Sequence, residues 1–523
     1  MYPQIPSFEL FDLDVYNVND DGYDRAEVGF FGRINYTLLN RYIFEVAGRY
    51  DGSSRFPASQ RWGFFPSASF GWRISEEPWM QGAKSWLNNL KLRANAGSLG
   101  NANISDYAFM DTWAISKSGN LIQGAKVPYT ISPTSLVPES LTWETITTYD
   151  VGLDFDIFNN RLSFSGDAYI KDSKDLLIAG PTLPQQLGAS TPKGNYGSTR
   201  DIGWELQLQW KDQFKLGGKP FAYSAKATLF DNRCFVTSFY NATGDIFNFY
   251  EGKELGEIWG YRTAGIFASN DESNDWATDV FHQNGTSIYR TYAGDLKFVD
   301  VNGDGTINYG KAILDDHGDL ERIGNETPRY QFGLVLSANW NNIGISASFR
   351  GVGKKEWYFS TGSGMFYGMY DRPYGILLKR HLGNIVDIDT SSDKWVVTNM
   401  DSNPYWTAQR GYVSNRNVGP LSTPNDHFLQ NVAFIRLQNL TIDYTIPKKI
   451  TDKVNIKKLN VYFSGENLFT FSPLYKHSTT IDPEVIEAGD EDTNNHAKGY
   501  SGMGEGYSYP MLKTYTFGIN LSF

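Results

Sequence analysis

The chain has 523 residues, with 47 Lys and Arg against 58 Asp and Glu, a formal charge of −11 and a pI near 5.2. Phosphate binding needs clustered cations, so this balance excludes nucleic acid as a partner. No uncharged apolar run approaches the roughly 18 residues of a transmembrane helix, which excludes a helical membrane protein, and the single Cys234 cannot form an internal disulfide. Aromatic residues reach 15% while hydrophobic residues as a class reach only 41% and mean hydropathy is −0.41. Such a composition suits a carbohydrate-binding surface or a transmembrane β-barrel with aromatic girdles and a polar interior.

From the amino end, Met1 to Phe8 shows neither the basic nor the apolar region of a secretory signal, so the sequence as written does not direct its own export. Dyad alternation, the mark of a strand with one apolar and one polar face, then begins. Val28, Phe30, Ile34 and Tyr36 alternate with Arg33, Asn35 and Thr37, and Tyr42, Phe44, Val46 and Tyr50 with Glu45 and Arg49. Leu90, Leu92, Ala94 and Ala96 interleave with Lys91, Arg93 and Asn95, and Tyr149, Val151, Leu153 and Phe155 with Asp150, Asp154 and Asp156. The pattern predicts thirteen strands, near 27–37, 40–50, 62–75, 87–98, 145–157, 160–173, 196–211, 219–231, 328–340, 342–353, 428–445, 457–469 and 513–523. In the last of them Tyr515, Phe517, Ile519, Leu521 and Phe523 share one face. The opposite faces are too charged for a packed interior and fit a wet lumen.

Asn159-Asn160 and Asn341-Asn342 read as tight hairpin turns, whereas stretches near 101–144, 232–326, 355–427 and 470–513 are long. Short turns at one end and long loops at the other describe an outer-membrane barrel with periplasmic turns and extracellular loops. Single-chain bacterial barrels close with even strand numbers, and lipid tolerates no open edge. Thirteen is odd, so the expectation is the carboxyl-terminal part of a larger barrel, separated at an extracellular loop from an odd number of upstream strands. The carboxyl end then lies in the periplasm.

Several motifs, in order, resemble the SusC/RagA-type TonB-dependent transporters of Bacteroidetes outer membranes. They are Phe31-Gly-Arg-Ile-Asn-Tyr36, Arg49-Tyr-Asp-Gly-Ser-Ser-Arg-Phe56, Phe65-Pro-Ser-Ala-Ser-Phe70, Trp72-Arg-Ile-Ser-Glu-Glu77 and Leu90 to Gly97, followed by Leu141-Thr-Trp-Glu144, Gly152-Leu-Asp-Phe155 and Asp172 to Leu177. Asp300 to Gly305, Phe434 to Asn439, Gly465-Glu-Asn-Leu-Phe469, Asp482-Pro-Glu484 and the terminal strand complete the series. The resemblance covers nearly the whole chain and matches that family's carboxyl-terminal half. It implies an all-β fold, a transmembrane antiparallel β-barrel of about 22 strands of which this chain supplies about 13, and energised import of oligosaccharide nutrients or, in the RagA type, peptides. It also implies a SusD-like surface lipoprotein as lid and an amino-terminal plug that contacts TonB–ExbB–ExbD. The plug and the remaining strands are expected on a separate chain or a missing segment.

Asp300-x-Asn302-x-Asp304-Gly305-Thr306 reproduces the opening of a calcium loop: Asp300, Asn302 and Asp304 offer side-chain oxygens, Gly305 permits the sharp turn, and Thr306 supplies its carbonyl. The twelfth position, normally a bidentate acid, is Lys311, and Asp315 or Asp316 could substitute. A solvated Asx/Gly turn accounts for the same residues without an ion. Calcium, if bound, would brace the 232–326 loop and not catalyse. The six histidines show no metal-ligand spacing, Gly351-Val-Gly353 and Gly502-Met-Gly504-Glu-Gly506 lack the features of phosphate loops, and no carboxylate pair is placed across a cleft, so no catalytic residues are assigned. Trp259, Tyr261, Trp357, Tyr358, Phe366, Tyr367, Tyr370 and Tyr374 in the long loops either stack on sugar rings or pack the loops, and packing is the favoured reading for each. Three functions compete: an importer subunit, a passive barrel or surface-binding protein, and a secreted glycan-processing enzyme.

Overall fold

A computed structural model describes residues 24–110, 113–117, 121–122, 125–126, 129–133, 137, 141–180, 184, 191–279, 291–359, 364–367, 378–407, 424–486 and 509–523. Its framework is one thirteen-stranded sheet in which every strand pairs antiparallel with the next in the chain. The strands are β1 Glu27–Leu38, β2 Tyr42–Ser53, β3 Trp62–Arg73, β4 Leu87–Asn101, β5 Glu144–Ile157, β6 Leu162–Ala179 and β7 Lys193–Leu216. β8 Lys219–Ser238, β9 Arg329–Trp340, β10 Ile343–Lys354, β11 Phe434–Thr445, β12 Lys458–Phe471 and β13 Thr514–Ser522 complete it. Among the described residues β1 and β13 are the two unpaired edges, and after twelve reversals they run in the same direction.

The turns follow from local chemistry. Asn341 and Asn342 adopt φ of 48° and 71°, and Gly217 and Gly218 adopt 59° and 78°, the left-handed pair that a two-residue hairpin needs to match strand twist. Asn tolerates that region and Gly has no Cβ to oppose it. The two-residue turns fall at one end of the sheet, and the four longest connections, 102–143, 239–328, 355–433 and 472–513, fall at the other.

Register places the apolar positions on a common face. Phe30 pairs with Tyr50, Ile34 with Val46 and Tyr36 with Phe44; Phe44 then pairs with Phe70, Phe70 with Ala94 and Ala94 with Val151. No second protein layer covers this face among the described residues: Ile34 is 73% exposed and Phe517 80%. So large an apolar face is tolerated only where the solvent is itself apolar. Aromatic rows bound it. Tyr50 stacks on Trp62 at 4.9 Å near the long-loop end, and Tyr42 on Trp72 at 6.5 Å near the short-turn end. Trp210, Tyr223, Trp340 and Tyr444 continue the second row. Ten residues separate Trp62 from Trp72, roughly 34 Å of strand, and a tilt near 45° projects this onto about 24 Å, the height of a barrel's lipid-facing band.

Strand boundaries depart from the sequence reading where strands rise past that band. β6 continues to Ala179 and β8 to Ser238, so the long loop opens at 239 and not at 232. Beyond the lipid both faces meet water, the contrast between alternate residues fades, and periodicity no longer signals a strand. The stretch 428–433 is likewise not part of β11. Gln430–Asn431 pairs instead with Glu356–Trp357 across the base of the loops.

Candidate functional site

The polar face and the loop end are where function can reside. On the polar face the backbone brings together residues far apart in sequence. Arg93 on β4 donates through Nε to Asp154 Oδ2 (2.8 Å) and through Nη2 to Asp154 Oδ1 (3.0 Å) and Asp167 Oδ2 (3.1 Å), while Ser165 Oγ donates to Asp154 Oδ1 (2.7 Å). The fork spans β4, β5 and β6 because Gly152 lies under it: a Cβ there would sit 2.6 Å from Arg93 Cζ and 2.4 Å from Asp167 Oδ1. Lys171 on β6 pairs with Asp201 on β7 at 2.9 Å. Between these pairs lies an open concavity of about 360 Å³ lined by Thr148, Asp150, Asp167, Tyr169, Lys171 and Glu205. Such a wall offers hydrogen bonds and charge to a hydrated solute. The Arg93 network escaped the sequence reading because its members are 61 and 74 residues apart, although Arg93 and Gly152-Leu-Asp154 each lie in motifs that carry the resemblance.

The motifs at the loop end are structural. Phe56 is fully buried, Trp143 packs on Phe56 at 5.1 Å and on Phe65 at 5.5 Å, and its Nε1 donates to the Arg61 carbonyl. Glu144 accepts from Asn101 Nδ2 (2.6 Å) and Leu177 N (2.8 Å), tying β4, β5 and β6 together at the rim. Arg436 on β11 is 2% exposed and grips the Asp482-Pro-Glu484 motif: Nη2 reaches Asp482 Oδ1 at 2.5 Å and Nη1 reaches Glu484 Oε2 at 2.8 Å.

The long loops share a hydrophobic core of their own. Tyr261, Trp357, Phe366 and Tyr367 are buried in it, Trp259 packs on its edge against His317, and Tyr358 accepts a hydrogen bond from Asn425. These six aromatics therefore pack loops, as the sequence reading favoured. Tyr370 and Tyr374 lie outside the described residues.

The calcium-like residues lie on one turn. Asp300 accepts from Gly303 N (2.7 Å) and Gly305 N (2.8 Å), Asn302 Oδ1 from Asp304 N (3.0 Å) and Asp304 Oδ1 from Thr306 N (2.7 Å), while the Thr306 carbonyl accepts from Asn308 Nδ2 (3.1 Å). The sequence missed the residue that fixes this turn. Fully buried Asp319 accepts from the backbone of Val301 (2.7 Å), Asn302 (3.3 Å) and Asn308 (2.7 Å). Asp316 is held by Lys311 at 3.3 Å.

Three histidines sit in the loop core. The Tyr405 ring is stacked between His477 at 3.8 Å and His427 at 4.8 Å, and His381 meets Trp406 edge-on at 4.6 Å. Burial, reinforced by the neighbouring Arg380 charge, pulls the His381 pKa down to about 4, and burial with the Lys476 and His427 charges does the same to His477. An unfolded imidazole titrates near 6.5, so between about pH 6.5 and 4 the unfolded loops bind more protons than the folded ones. Stability should be full above about pH 6.5 and fall progressively as pH drops to 4. Hydrogen exchange across 378–407 measured over that range checks this, and exchange independent of pH-driven opening would contradict it.

The chain is thus a membrane-crossing antiparallel β-barrel wall, short turns at one rim and packed loops at the other. It belongs to the TonB dependent receptor-like β-barrel family, whose model matches residues 2–468. It is similar to TonB-dependent receptor SusC of Bacteroides thetaiotaomicron, 27% identical over 513 residues that cover 95% of this chain and 44% of that protein. It is also similar to TonB-dependent receptor P3 of Formosa agariphila, 26% identical over 512 residues, 95% of this chain and 45% of the relative. The RagAB peptide transporter structure shares the fold at a TM-score of 0.67 and 22% identity, covering 99% of this chain and 50% of that one. The chain spans about half the length of these relatives. The family places it in the outer membrane, crossed by strands, with the loop core extracellular and the short turns periplasmic, and its relatives are transporters and receptors, not enzymes.

Proposed function

We propose that this chain is the carboxyl-terminal wall of a TonB-dependent importer, working with a SusD-like surface lipoprotein over its loop core and with a plug that carries the TonB contact. The observation that carries the proposal is the charged, solute-facing wall around Arg93, Asp154 and Asp167 in a chain whose family match runs over residues 2–468. The remaining strands would pair with the edges of β1 and β13, which an odd number of further antiparallel strands satisfies. Oligosaccharide is the proposed cargo, on the SusC resemblance, and peptide the second reading, on the likeness of fold to a peptide transporter. A passive barrel would need no energy. Uptake of fluorescent oligosaccharides and peptides by the host, with and without this gene and with TonB inactivated, tests all of this: oligosaccharide uptake should be lost in both cases. Uptake that survives loss of TonB supports the passive barrel, and selective loss of peptide uptake supports the second cargo.

We also propose the Asp300, Asn302, Asp304 and Thr306 turn as a calcium site that braces the extracellular loop, supported by oxygens at the first, third and fifth positions and by positive φ at Gly303 (75°) and Gly305 (82°). Calcium at about a hundred times its Kd should then add about 2.7 kcal/mol to loop stability. An unfolding temperature indifferent to calcium and to chelator removes the proposal.

A further inference from the structure

The periplasmic rim does not share the acidity of the chain as a whole. At three of its six turns cations meet carboxylates: Arg41 meets Glu77 at 3.5 Å, Arg73 and Lys84 meet Glu76 at 3.9 and 3.2 Å, and Arg161 meets Asp212 at 3.2 Å. The connection between β11 and β12 is different. Residues 446–458 read Ile-Pro-Lys-Lys-Ile-Thr-Asp-Lys-Val-Asn-Ile-Lys-Lys, with Lys448, Lys449, Lys453, Lys457 and Lys458 against the single acid Asp452. All five lysines are exposed, and among the described residues none lies within 4.0 Å of a carboxylate. Like charges this dense repel one another unless an anion lies between them.

The turn is also built to hold that charge in place. A helical turn, Lys448–Thr451, runs into a 3-10 turn, Asp452–Val454, and the chain reverses at Asn455 with φ of 57°. Thr451 is buried, Ile446 N donates to the Leu459 carbonyl (2.8 Å), Ile456 N to the Thr451 carbonyl (3.1 Å) and Lys457 N to the Ser522 carbonyl (2.9 Å). The five ammonium groups therefore project from an ordered knuckle and not from a free tether.

Its position fixes what it can meet. Tyr444, the last aromatic of the periplasmic row on β11, precedes Ile446 by two residues, roughly 7 Å of strand. Ile450 on the knuckle is 58% exposed, close in sequence to Ile442 and Tyr444, which are themselves exposed on the lipid-facing side of β11. An apolar tip beside a membrane's aromatic belt, flanked by lysines whose long stems reach outward, is the arrangement of a segment lying in the headgroup layer.

We propose that the 446–458 knuckle binds an anionic phospholipid of the periplasmic leaflet, with Ile450 among the acyl chains beside Tyr444 and the phosphate held by Lys448, Lys449 and Lys453. Lys457 and Lys458 enlarge the field that attracts it. Each lysine near an anionic surface is worth about a fivefold gain in binding, so the three together give about a hundredfold preference over a zwitterionic lipid. The site rests on the outer-membrane barrel reading alone and is independent of cargo.

The test is native mass spectrometry of the complex purified from outer membranes in detergent, titrated in parallel with dioleoyl phosphatidylglycerol, dioleoyl phosphatidylcholine and inorganic phosphate. The wild type should retain phosphatidylglycerol well over tenfold better than phosphatidylcholine. A Lys448→Gln, Lys449→Gln, Lys453→Gln variant should lose that preference, whereas Lys311→Gln, Lys394→Gln in the extracellular loops should keep it. Ile450→Asn should weaken phosphatidylglycerol without changing phosphate binding. Should the triple variant fail to assemble, the wild type decides the matter by its salt dependence, since the preference should collapse in high salt. Equal retention of the two lipids, an unchanged triple variant, or phosphate alone binding as tightly as the lipid overturns the proposal. So does a photo-cross-linker at position 449 that captures a periplasmic protein in cells and no lipid.

Discussion

Replacing Arg436 with methionine should free the extracellular segment 472–486 from the barrel wall. The guanidinium holds Asp482 and Glu484 with both its terminal nitrogens and donates through Nε to Thr470 Oγ1 (2.9 Å). Asp482 also caps its own turn by accepting from Glu484 N (3.1 Å) and receives Met511 N (3.0 Å) ahead of β13, while Arg350 steadies the far oxygen of Glu484 at 2.8 Å. The two carboxylates are only 8% and 11% exposed, so removing Arg436 strands buried charge. Breaking such a pair from one side costs about 3–5 kcal/mol. Hydrogen exchange across 472–486 should rise by two orders of magnitude or more, and Asp482→Asn with Glu484→Gln in the same chain should recover part of the loss. Exchange unchanged from wild type would show that the loop is held by its hydrophobic contacts at Leu474, Ile481 and Ile486 instead.

The second large effect separates the faces of the sheet. Ala347 and Ser348 are neighbours on β10, midway along it, with Ala347 between Leu336 and Leu440 on the lipid face and Ser348 between Val335 and Asn439 on the lumen face. Arg at 347 enters the hydrocarbon near its midplane and should cost about 2–4 kcal/mol of barrel stability. Arg at 348 meets water and should cost little. Urea unfolding of the two variants in lipid vesicles measures the difference. Equal penalties would mean that both faces pack against protein, contrary to the membrane assignment.

How much of this was legible in the sequence depends on whether the determining contrast was local. Strand alternation is local: Val28 to Tyr36 and Tyr515 to Phe523 declare their lipid face residue by residue, and all thirteen strands of the sheet were placed. Asn341-Asn342 declared its turn for the same reason. Strand ends were legible only inside the membrane band, which is why the extension of β8 from Asn232 to Ser238 was missed. The site was less legible because its chemistry is made by register. Arg93 meets Asp154 and Asp167 only once β4, β5 and β6 are aligned, and Arg436 meets Asp482 only once a loop folds back. Both arginines nonetheless lie in motifs that carried the resemblance, so the motifs were informative before their purpose was. The histidine and tyrosine stack had no such signal, since His381, Tyr405, His427 and His477 stand in no recognisable spacing.

This sheet is one part of a larger barrel, in which the edges β1 and β13 should seal against strands supplied from elsewhere. Native mass spectrometry of the protein extracted from outer membranes in detergent decides the point. The 59.0 kDa chain should travel with polypeptide that contributes the remaining strands, joined to it covalently or as a separate subunit. A closed, protease-resistant barrel formed by residues 1–523 alone would contradict it.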